Sequence, residues 1–177
     1  MPLKRLIFLA MSVTIIFVQE QALMFIPNVQ FTTLLIVLFA SVFTFKESLM
    51  MIFAYVILDN LYMGTFNPLF MTPMFLGWSM IPFLYHTLLK ETTNEIKLAI
   101  FGVFFSVLYG MAFVPFNMLQ TGIHNVIPYI IADLPFMLIM AVSNFFTILW
   151  LYQPLYKVVS KELELLNLQL VPLKKNR

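Results

Sequence analysis

The sequence predicts an all-α membrane protein of six transmembrane helices, with both termini in the cytoplasm. Three observations predict this class: the composition, the repeated apolar stretches and the placement of the positive charges. Of the 177 residues, 62% are hydrophobic and 10% are charged. This leaves too few polar side chains to cover a water-soluble domain. Short polar breaks separate the apolar stretches, and all ten Lys and Arg residues lie at alternate breaks or in the two terminal segments.

The positive charges predict which side each break faces. They are Lys4, Arg5, Lys46, Lys90, Lys97, Lys157, Lys161, Lys174, Lys175 and Arg177. The intervening breaks, near residues 25–30, 64–71 and 120–125, contain none. Positive residues close to span ends are retained in the cytoplasm. The basic breaks are therefore expected inside and the uncharged breaks outside.

The apolar stretches give the expected spans. They lie near residues 6–24, 31–45, 48–61, 72–89, 97–119 and 126–152. A straight span needs about 20 residues, so the second and third are short and need neighbours that bury them. Together they form one six-helix transmembrane domain, 1–155. A cytoplasmic tail follows at 156–177, basic at its end and with Leu/Val spacing that predicts a short amphipathic helix on the inner surface.

Several kinds of chemistry are excluded or disfavoured. The chain has no cysteine, and its two histidines, His86 and His124, lie far apart. We therefore expect no metal site and no cofactor. No G-x-x-x-x-G-K-[ST] motif is present, so this chain is not expected to hydrolyse ATP. The basic residues act as topological anchors, so no nucleic-acid partner is expected; the expected surroundings are the lipid bilayer.

Acidic residues in the expected outward half carry the functional signal. Glu20 closes the first span, Asp59 ends the third and Asp133 lies inside the sixth. Charged groups in a bilayer cost free energy unless they are paired or hydrated. No Lys or Arg lies on that side to neutralise them. We therefore expect these carboxylates to have a specific role.

Helical spacing places polar and aromatic residues on shared faces. The stripes are Tyr55, Asp59 and Tyr62 in span three; Met74, Trp78 and Tyr85 in span four; Ser106, Tyr109, Gly110, Phe113 and Asn117 in span five; and Asp133, Met137, Met140 and Asn144 in span six. Small-molecule pockets are lined in this way, with apolar walls and a few placed polar groups. The alternative is that Ser106 and Asn144 join neighbouring helices, and that Asp133 caps a helix beside Pro135.

The outer breaks are rich in amides. Asn28, Gln30, Asn67, Asn117 and Asn125 all lie in or beside them. Amides both donate and accept hydrogen bonds, which favours an uncharged or zwitterionic organic ligand. A bare ion would need rings of charge or of carbonyls.

Four segments, taken in order, resemble one family. They are residues 25–33; Gly64 with Met74 and Trp78; residues 132–136; and residues 151–155. With the six-span size, they are similar to the substrate-binding S components of energy-coupling factor (ECF) vitamin transporters. The resemblance covers most of residues 6–155 and rests on the order of the segments and on topology.

The resemblance implies a function without catalysis. An S component binds a vitamin or precursor in an outward-facing cavity of the prokaryotic plasma membrane, under a lid formed by the loop between its first two helices. Candidates are pantothenate, a pyrimidine-type precursor and cobalamin. A transmembrane coupling protein and two cytoplasmic ATPases would be its partners.

The same resemblance implies that residues 27–30 belong to the lid and that Trp78, Asn117, Asn125 and Asp133 approach the ligand. With the polar residues Asp59 and Asn67 of the outward half, the residues expected to bind substrate are Asn28, Gln30, Asp59, Asn67, Trp78, Asn117, Asn125 and Asp133. In the family, small residues four apart on the first helix contact the coupling protein. Here only Ala10 and Thr14 offer that spacing, a weak match.

Two other functions stay open. The chain could be a structural or assembly subunit in which the polar groups serve only contacts between helices. It could also be an intramembrane lipid-modifying enzyme, with His86, Glu91 and Glu95 as the candidates at the inner ends of the spans.

Overall fold

The computed structural model describes residues 2–64, 66–89 and 91–166, and every regular element in them is helical. The helices are α1 (Leu3–Leu23), α2 (Thr32–Ala40), α3 (Phe45–Tyr62), α4 (Pro68–Thr87), α5 (Glu95–Thr121) and α6 (Val126–Leu165), with a short 3-10 helix, Ile123–Asn125, before α6. The predicted all-α class is confirmed. Within these described residues, three helical stretches are long and apolar enough to cross a membrane: Leu3–Leu23, Glu95–Thr121 and Ile123–Leu165.

The second predicted span differs most from the structure. The expected helix covered residues 31–45, whereas α2 has nine residues and ends at Ala40. At 1.5 Å per residue it is about 14 Å long, less than half of a ~30 Å hydrocarbon layer. All nine residues are buried, and α2 contacts each of the other five α-helices. A helix that is apolar all round belongs in an interior, so α2 is a central element, and a six-span topology is not confirmed.

A tight turn joins α2 to α3. The Thr44 side chain accepts a hydrogen bond from the Glu47 backbone N–H (3.3 Å), and the Glu47 carboxylate accepts one from the Thr44 N–H (2.8 Å). This reciprocal arrangement is a capping box, which satisfies two backbone donors at the start of α3. Lys46 and Glu47, which lie between the second and third predicted spans, belong to the first turn of α3; the connection between the helices is residues 41–44.

Arg5 fixes the start of α1 to this turn. Its Nε and Nη2 atoms donate to the two Glu47 carboxylate oxygens at 2.9 and 2.8 Å, and Nη2 also donates to the Val42 carbonyl at 2.8 Å. The guanidinium carbon lies 4.9 Å from the centroid of the Phe43 ring. Arg5 is only 6% exposed, so this Arg5–Glu47 pair is a largely desolvated, bidentate contact.

The Arg5–Glu47 pair makes the free energy of unfolding depend on pH in the acid range. Hydrogen bonding from Arg5 lowers the pKa of Glu47, which lies ahead of the third predicted span, from 4.5 to about 2. Because the folded-state pKa is the lower one, the stabilisation is complete above about pH 4.5 and is lost as pH falls towards 2. We expect Glu47→Gln to remove this dependence in thermal unfolding measured across that window. Parallel pH profiles for the two proteins would contradict the assignment.

The longest helix-to-helix contact joins α5 and α6. The Asn144 amide nitrogen donates to Ser106 Oγ (2.9 Å) and to the Gly102 carbonyl (3.2 Å), and both side chains are fully buried. A Cβ atom on Gly102 would lie 2.8 Å from Ile148 Cδ1, so glycine permits this close approach. Asn144 and Ser106 therefore join the two helices, as one of the two interpretations of the sequence expected.

The predicted boundary between domain and tail at residues 155 and 156 lies inside a helix. α6 has 40 residues, about 60 Å, and continues through Pro154 to Leu165. Leu163 is fully buried, and Lys4 Nζ donates to the Leu166 carbonyl at 3.4 Å. This part of the predicted tail packs against the bundle as a continuation of α6; residues 167–177 of the predicted tail lie outside the described residues.

The described segments that carry Lys or Arg contact one another or neighbouring turns at one end of the bundle. The start of α1 meets the α2–α3 turn through the Arg5–Glu47 pair, and it meets the end of α6 through Lys4. Gln153 of α6 donates to the Thr93 carbonyl (2.6 Å) and to Glu95 (2.9 Å) beside the α4–α5 turn. The loops without positive charge follow the other ends of α1, α3 and α5.

Candidate functional site

A cavity of about 220 Å³ lies between α5 and α6, towards the end with uncharged loops. We call it the α5–α6 cavity. It is lined by Ser106, Tyr109, Gly110 and Phe113 of α5, by Tyr129, Asp133, Met137 and Met140 of α6, and by Asn28 of the α1–α2 loop. Its walls are aromatic rings and thioethers, with one carboxylate, one amide and three hydroxyl groups among them.

Helical spacing explains these walls. The four α5 residues recur at intervals of three, one and three, and the α6 residues at four, four and three, so each set forms one face. Gly110 lets the α6 side chains approach α5 closely: a Cβ atom there would lie 2.4 Å from Met137 Cε and 2.9 Å from Asp133 Oδ2. Most residues of the stripes expected in spans five and six face each other across this cavity, whereas Asn117 and Asn144 do not line it.

Trp78 lies behind the aromatic wall. Its ring centroid is 4.5 Å from that of Tyr109 and 5.6 Å from that of Phe105, and the residue is 1% exposed. Gly77 permits this packing, because a Cβ atom there would come within 2.7 Å of Tyr109 Cδ2. The expectation that Trp78 itself reaches the ligand is not met by the geometry: Tyr109 stands in front of it and lines the cavity.

A second hollow of about 180 Å³, which we call the loop cavity, adjoins the first. It is lined by Glu20, Gln21, Leu23, Met24, Ile26, Pro27, Asn28, Val29, Gln30, Asp59 and Met63. Asn28 lines both cavities and adopts a positive φ of 58°. The predicted site residues Asn28, Gln30 and Asp59 therefore come together around the α1–α2 loop.

Hydrogen bonds hold the acidic side of the loop cavity. Gln21 Nε2 donates to Asp59 Oδ1 at 2.9 Å, and the Tyr55 hydroxyl donates to the Glu20 carboxylate. The outer ends of α1 and α3 are joined by these two contacts. Neither acid has a Lys or Arg partner among the described residues.

The loop is also fixed at the point where it enters α2. The Gln19 side chain donates to Thr32 Oγ1 (2.7 Å) and accepts from the Phe31 backbone N–H (2.9 Å). A single glutamine thus connects α1 to both residues at the start of α2. The α1–α2 loop is therefore fixed at the end where it enters α2. Asn28 of this loop lines both cavities.

Asn117 lines a third, smaller hollow. This space of about 80 Å³ includes Gln120 and shares Phe113 and Tyr129 with the α5–α6 cavity. The Asn117 side-chain oxygen accepts a hydrogen bond from Thr121 Oγ1 at 3.1 Å. Asn117 therefore lies on the far side of the two rings from the main cavity.

Asn67 and Asn125 are placed as helix caps. The Asn67 side chain accepts from the Leu69 N–H (2.9 Å) directly before Pro68, the first residue of α4. Asn125 precedes α6, and its side chain donates to the Thr121 carbonyl at 2.6 Å. Neither lines a cavity described above, and a role at the ligand is not supported by these positions. Asn-Pro is a recognised helix-start signal, so the sequence carried this information for Asn67.

Ala10 and Thr14 lie on an exposed face of α1. The Thr14 hydroxyl donates to the Ala10 carbonyl at 3.0 Å, so it is used within its own helix. The neighbouring apolar residues Met11, Ile15 and Val18 are also about half exposed. The face is available for a contact, and its coupling role stays a prediction.

The site contains residues that the predicted set omitted. Tyr109 was expected on the span-five stripe but not as a ligand contact, and Tyr129, Glu20 and Gln21 were not in the set. Tyr129 precedes Asp133 by four residues and so shares its face, a signal that the sequence offered. Gln21 carries no such signal, because its role depends on where Asp59 lies in space.

Comparisons of the chain with protein-family models, with curated proteins and with solved structures find no match. Among residues 2–64, 66–89 and 91–166, no group of three or more His, Asp or Glu residues is arranged to hold a metal ion. The fold and the site define an all-helical protein with membrane-compatible helices and an aromatic, acid-bearing cavity at one end.

Proposed function

We propose that this chain is the membrane-embedded substrate-binding subunit of an ECF-type transporter, and that it takes up a small water-soluble vitamin or vitamin precursor. The observation that carries the proposal is the α5–α6 cavity, whose lining includes Asn28 of the α1–α2 loop. The resemblance in sequence implies a lid at this loop, and the cavity lies beneath it.

The cavity has the chemistry of a binding site. Ligand pockets combine apolar and aromatic walls with a few polar groups that fix orientation. Tyr109, Phe113 and Tyr129 provide rings, while Asp133 and Asn28 provide polar contacts. At about 220 and 180 Å³, the α5–α6 cavity and the adjoining loop cavity are each small. Jointly they come into the ~300–1,000 Å³ range of ligand sites.

The proposed setting is the plasma membrane of a prokaryote, with the basic end of the bundle in the cytoplasm. A transmembrane coupling protein would contact the exposed face of α1 around Ala10 and Thr14. Two cytoplasmic ATPases would supply ATP hydrolysis. In this proposal the chain itself binds and releases the ligand without changing it.

Ligand binding and co-purification test the proposal together. The full-length chain, purified in lipid nanodiscs, is expected to bind one member of a water-soluble vitamin panel with a sub-micromolar Kd. An affinity-tagged copy expressed in its native cell is expected to bring down one further membrane protein and two ATPases. No binding across the panel, together with no such partners, would overturn the proposal.

A structural or assembly subunit is the second candidate. The buried contacts of Asn144 with Ser106 and Gly102 favour it, because they show that part of the polar stripe joins helices. If the chain is a structural or assembly subunit, substitutions at Tyr109 are expected to affect folding alone. The transporter proposal expects Tyr109→Leu to weaken ligand binding in protein that remains folded.

One contact supports the alternative that the chain is a lipid-modifying enzyme. His86 Nδ1 lies 3.1 Å from Glu91 Oε1 at the basic end of the bundle, and this enzyme hypothesis requires such a pairing of an acid with a histidine. Neither residue lines a cavity described above. Under the transporter proposal Glu91→Gln leaves ligand binding unchanged, whereas under the enzyme reading it abolishes turnover of a lipid substrate.

A further inference from the structure

The charged side chains that line the two adjoining cavities, among the described residues, are all acidic. Asp133 lines the α5–α6 cavity, while Glu20 and Asp59 line the loop cavity next to it. No Lys, Arg or His is among the described residues that line either space. An anionic ligand in either cavity would lie beside carboxylates, without a described basic side chain to pair with. Like charges repel, so such a ligand is disfavoured.

The aromatic lining has the same preference. Tyr109 and Phe113 meet at 5.2 Å between centroids with an interplanar angle of 62°, and Tyr129 adds a third ring across the cavity. The faces of such rings carry partial negative charge and attract ammonium or other organic cations. Three rings and one carboxylate form a site that would stabilise a positive charge from several directions.

The amides that favoured an uncharged or zwitterionic ligand are largely used elsewhere. Asn67 caps α4, Asn125 donates to the Thr121 carbonyl at the end of α5, and Asn117 lies behind the aromatic wall. Of the five amides in the outer breaks, only Asn28 reaches the α5–α6 cavity. What the α5–α6 cavity offers a ligand is the Asn28 amide, the Tyr109 and Tyr129 hydroxyl groups, the ring faces and one charged group, the carboxylate of Asp133.

We infer that the ligand of the proposed transporter subunit is a small aromatic or heteroaromatic cation, with its positive group at Asp133 and its ring among Tyr109, Phe113 and Tyr129. This inference rests on the proposed function. The cavity holds the volume of roughly seven water molecules at ~30 Å³ each, which suits one substituted ring. It makes Asp133 the residue that determines specificity.

A charge-matched series of probes tests the inference. Pyridoxamine, pyridoxine and 4-pyridoxate share one ring and carry an amine, a hydroxyl or a carboxylate; thiamine, riboflavin and pantothenate extend the series to other scaffolds. Each is titrated against the full-length chain in nanodiscs by calorimetry. The tightest binder is expected to be a cation, and within the matched trio pyridoxamine is expected to bind best.

Variants then assign the charge preference to one residue. Asp133→Asn is expected to weaken the tightest cation roughly 10- to 100-fold, because a charge-assisted hydrogen bond is lost, while neutral probes change little. Asp133→Glu is expected to restore much of the affinity. Glu95→Gln, which removes a carboxylate at the opposite end of the bundle, serves as the matched control and is expected to have no effect. Thermal unfolding confirms that each variant is folded.

The outcomes separate this inference from the function on which it rests. Tightest binding of an anion or a neutral compound would overturn the cation inference and leave the transporter proposal standing. A cation that binds equally well to the parent chain and to Asp133→Asn would also overturn it. Absence of binding across the wider vitamin panel would overturn the cation inference, and together with the absence of partner proteins it would overturn the transporter proposal as well.

Discussion

Replacing Arg5 with methionine is expected to lower the free energy of unfolding by about 3 kcal/mol, the lower end of the cost of breaking a buried ion pair. Arg5 makes two hydrogen bonds to Glu47 and one to the Val42 carbonyl, and it is 6% exposed. Its loss leaves the Glu47 carboxylate and the Val42 carbonyl without these donors. Unfolding of the purified chain in bicelles, followed by steric trapping, measures the change.

The matched control is Lys46→Met, which removes the same charge from an exposed position in the same turn. Exposed substitutions of this kind usually change stability by less than ~0.5 kcal/mol. A double-mutant cycle with Glu47→Gln isolates the pair, and a coupling energy well above the value for exposed pairs is expected. If Arg5→Met proved as stable as Lys46→Met, the Arg5–Glu47 pair would not hold α1 to the α2–α3 turn.

Replacing Gly110 with valine is expected to reduce ligand affinity roughly 10- to 100-fold. A Cβ atom at this position would lie 2.4 Å from Met137 Cε and 2.9 Å from Asp133 Oδ2, so both side chains must move. The added methyl groups and the displaced Met137 occupy the α5–α6 cavity. Overpacking of this size costs ~1–3 kcal/mol. If this cost is subtracted from the binding free energy, it corresponds to the stated loss of affinity. Calorimetry with the tightest-binding vitamin measures the effect.

Gly102→Val provides the control on the same helix. A Cβ atom there meets Ile148 Cδ1 at 2.8 Å and Asn144 Cβ at 3.2 Å, in the dry contact between α5 and α6. We expect this variant to lose stability while its folded fraction keeps the parent affinity. Equal affinity losses in both variants would show that Gly110 acts through the general packing of the bundle and not through the cavity.

Much of the cavity was predictable because helical periodicity is local information. The stripes through Ser106, Tyr109, Gly110 and Phe113 and through Asp133, Met137 and Met140 follow from spacing alone, and they face each other in the structure. Which polar residues reach the cavity was not predictable in the same way. Trp78 shares a face with Met74, but only the packing of α4 against α5 places Tyr109 in front of it.

Helix ends were the least predictable feature of the fold. The run 31–45 is apolar nearly throughout, so nothing in its hydropathy marks the end of α2 at Ala40. Because a continuous apolar run has no periodicity, it does not distinguish a span from a short buried helix. The sixth predicted span likewise ended near residue 152, whereas α6 continues through Pro154 to Leu165, and Gln153 donates to the Thr93 carbonyl beside this stretch.

An experimental structure of the full-length chain with its tightest-binding vitamin would test the central claim most directly. The account predicts a ligand between the Tyr109 and Tyr129 rings, within hydrogen-bonding distance of Asp133 and covered by Asn28. A ligand bound elsewhere on the protein, out of contact with Asp133 and the Tyr109 and Tyr129 rings, would contradict it.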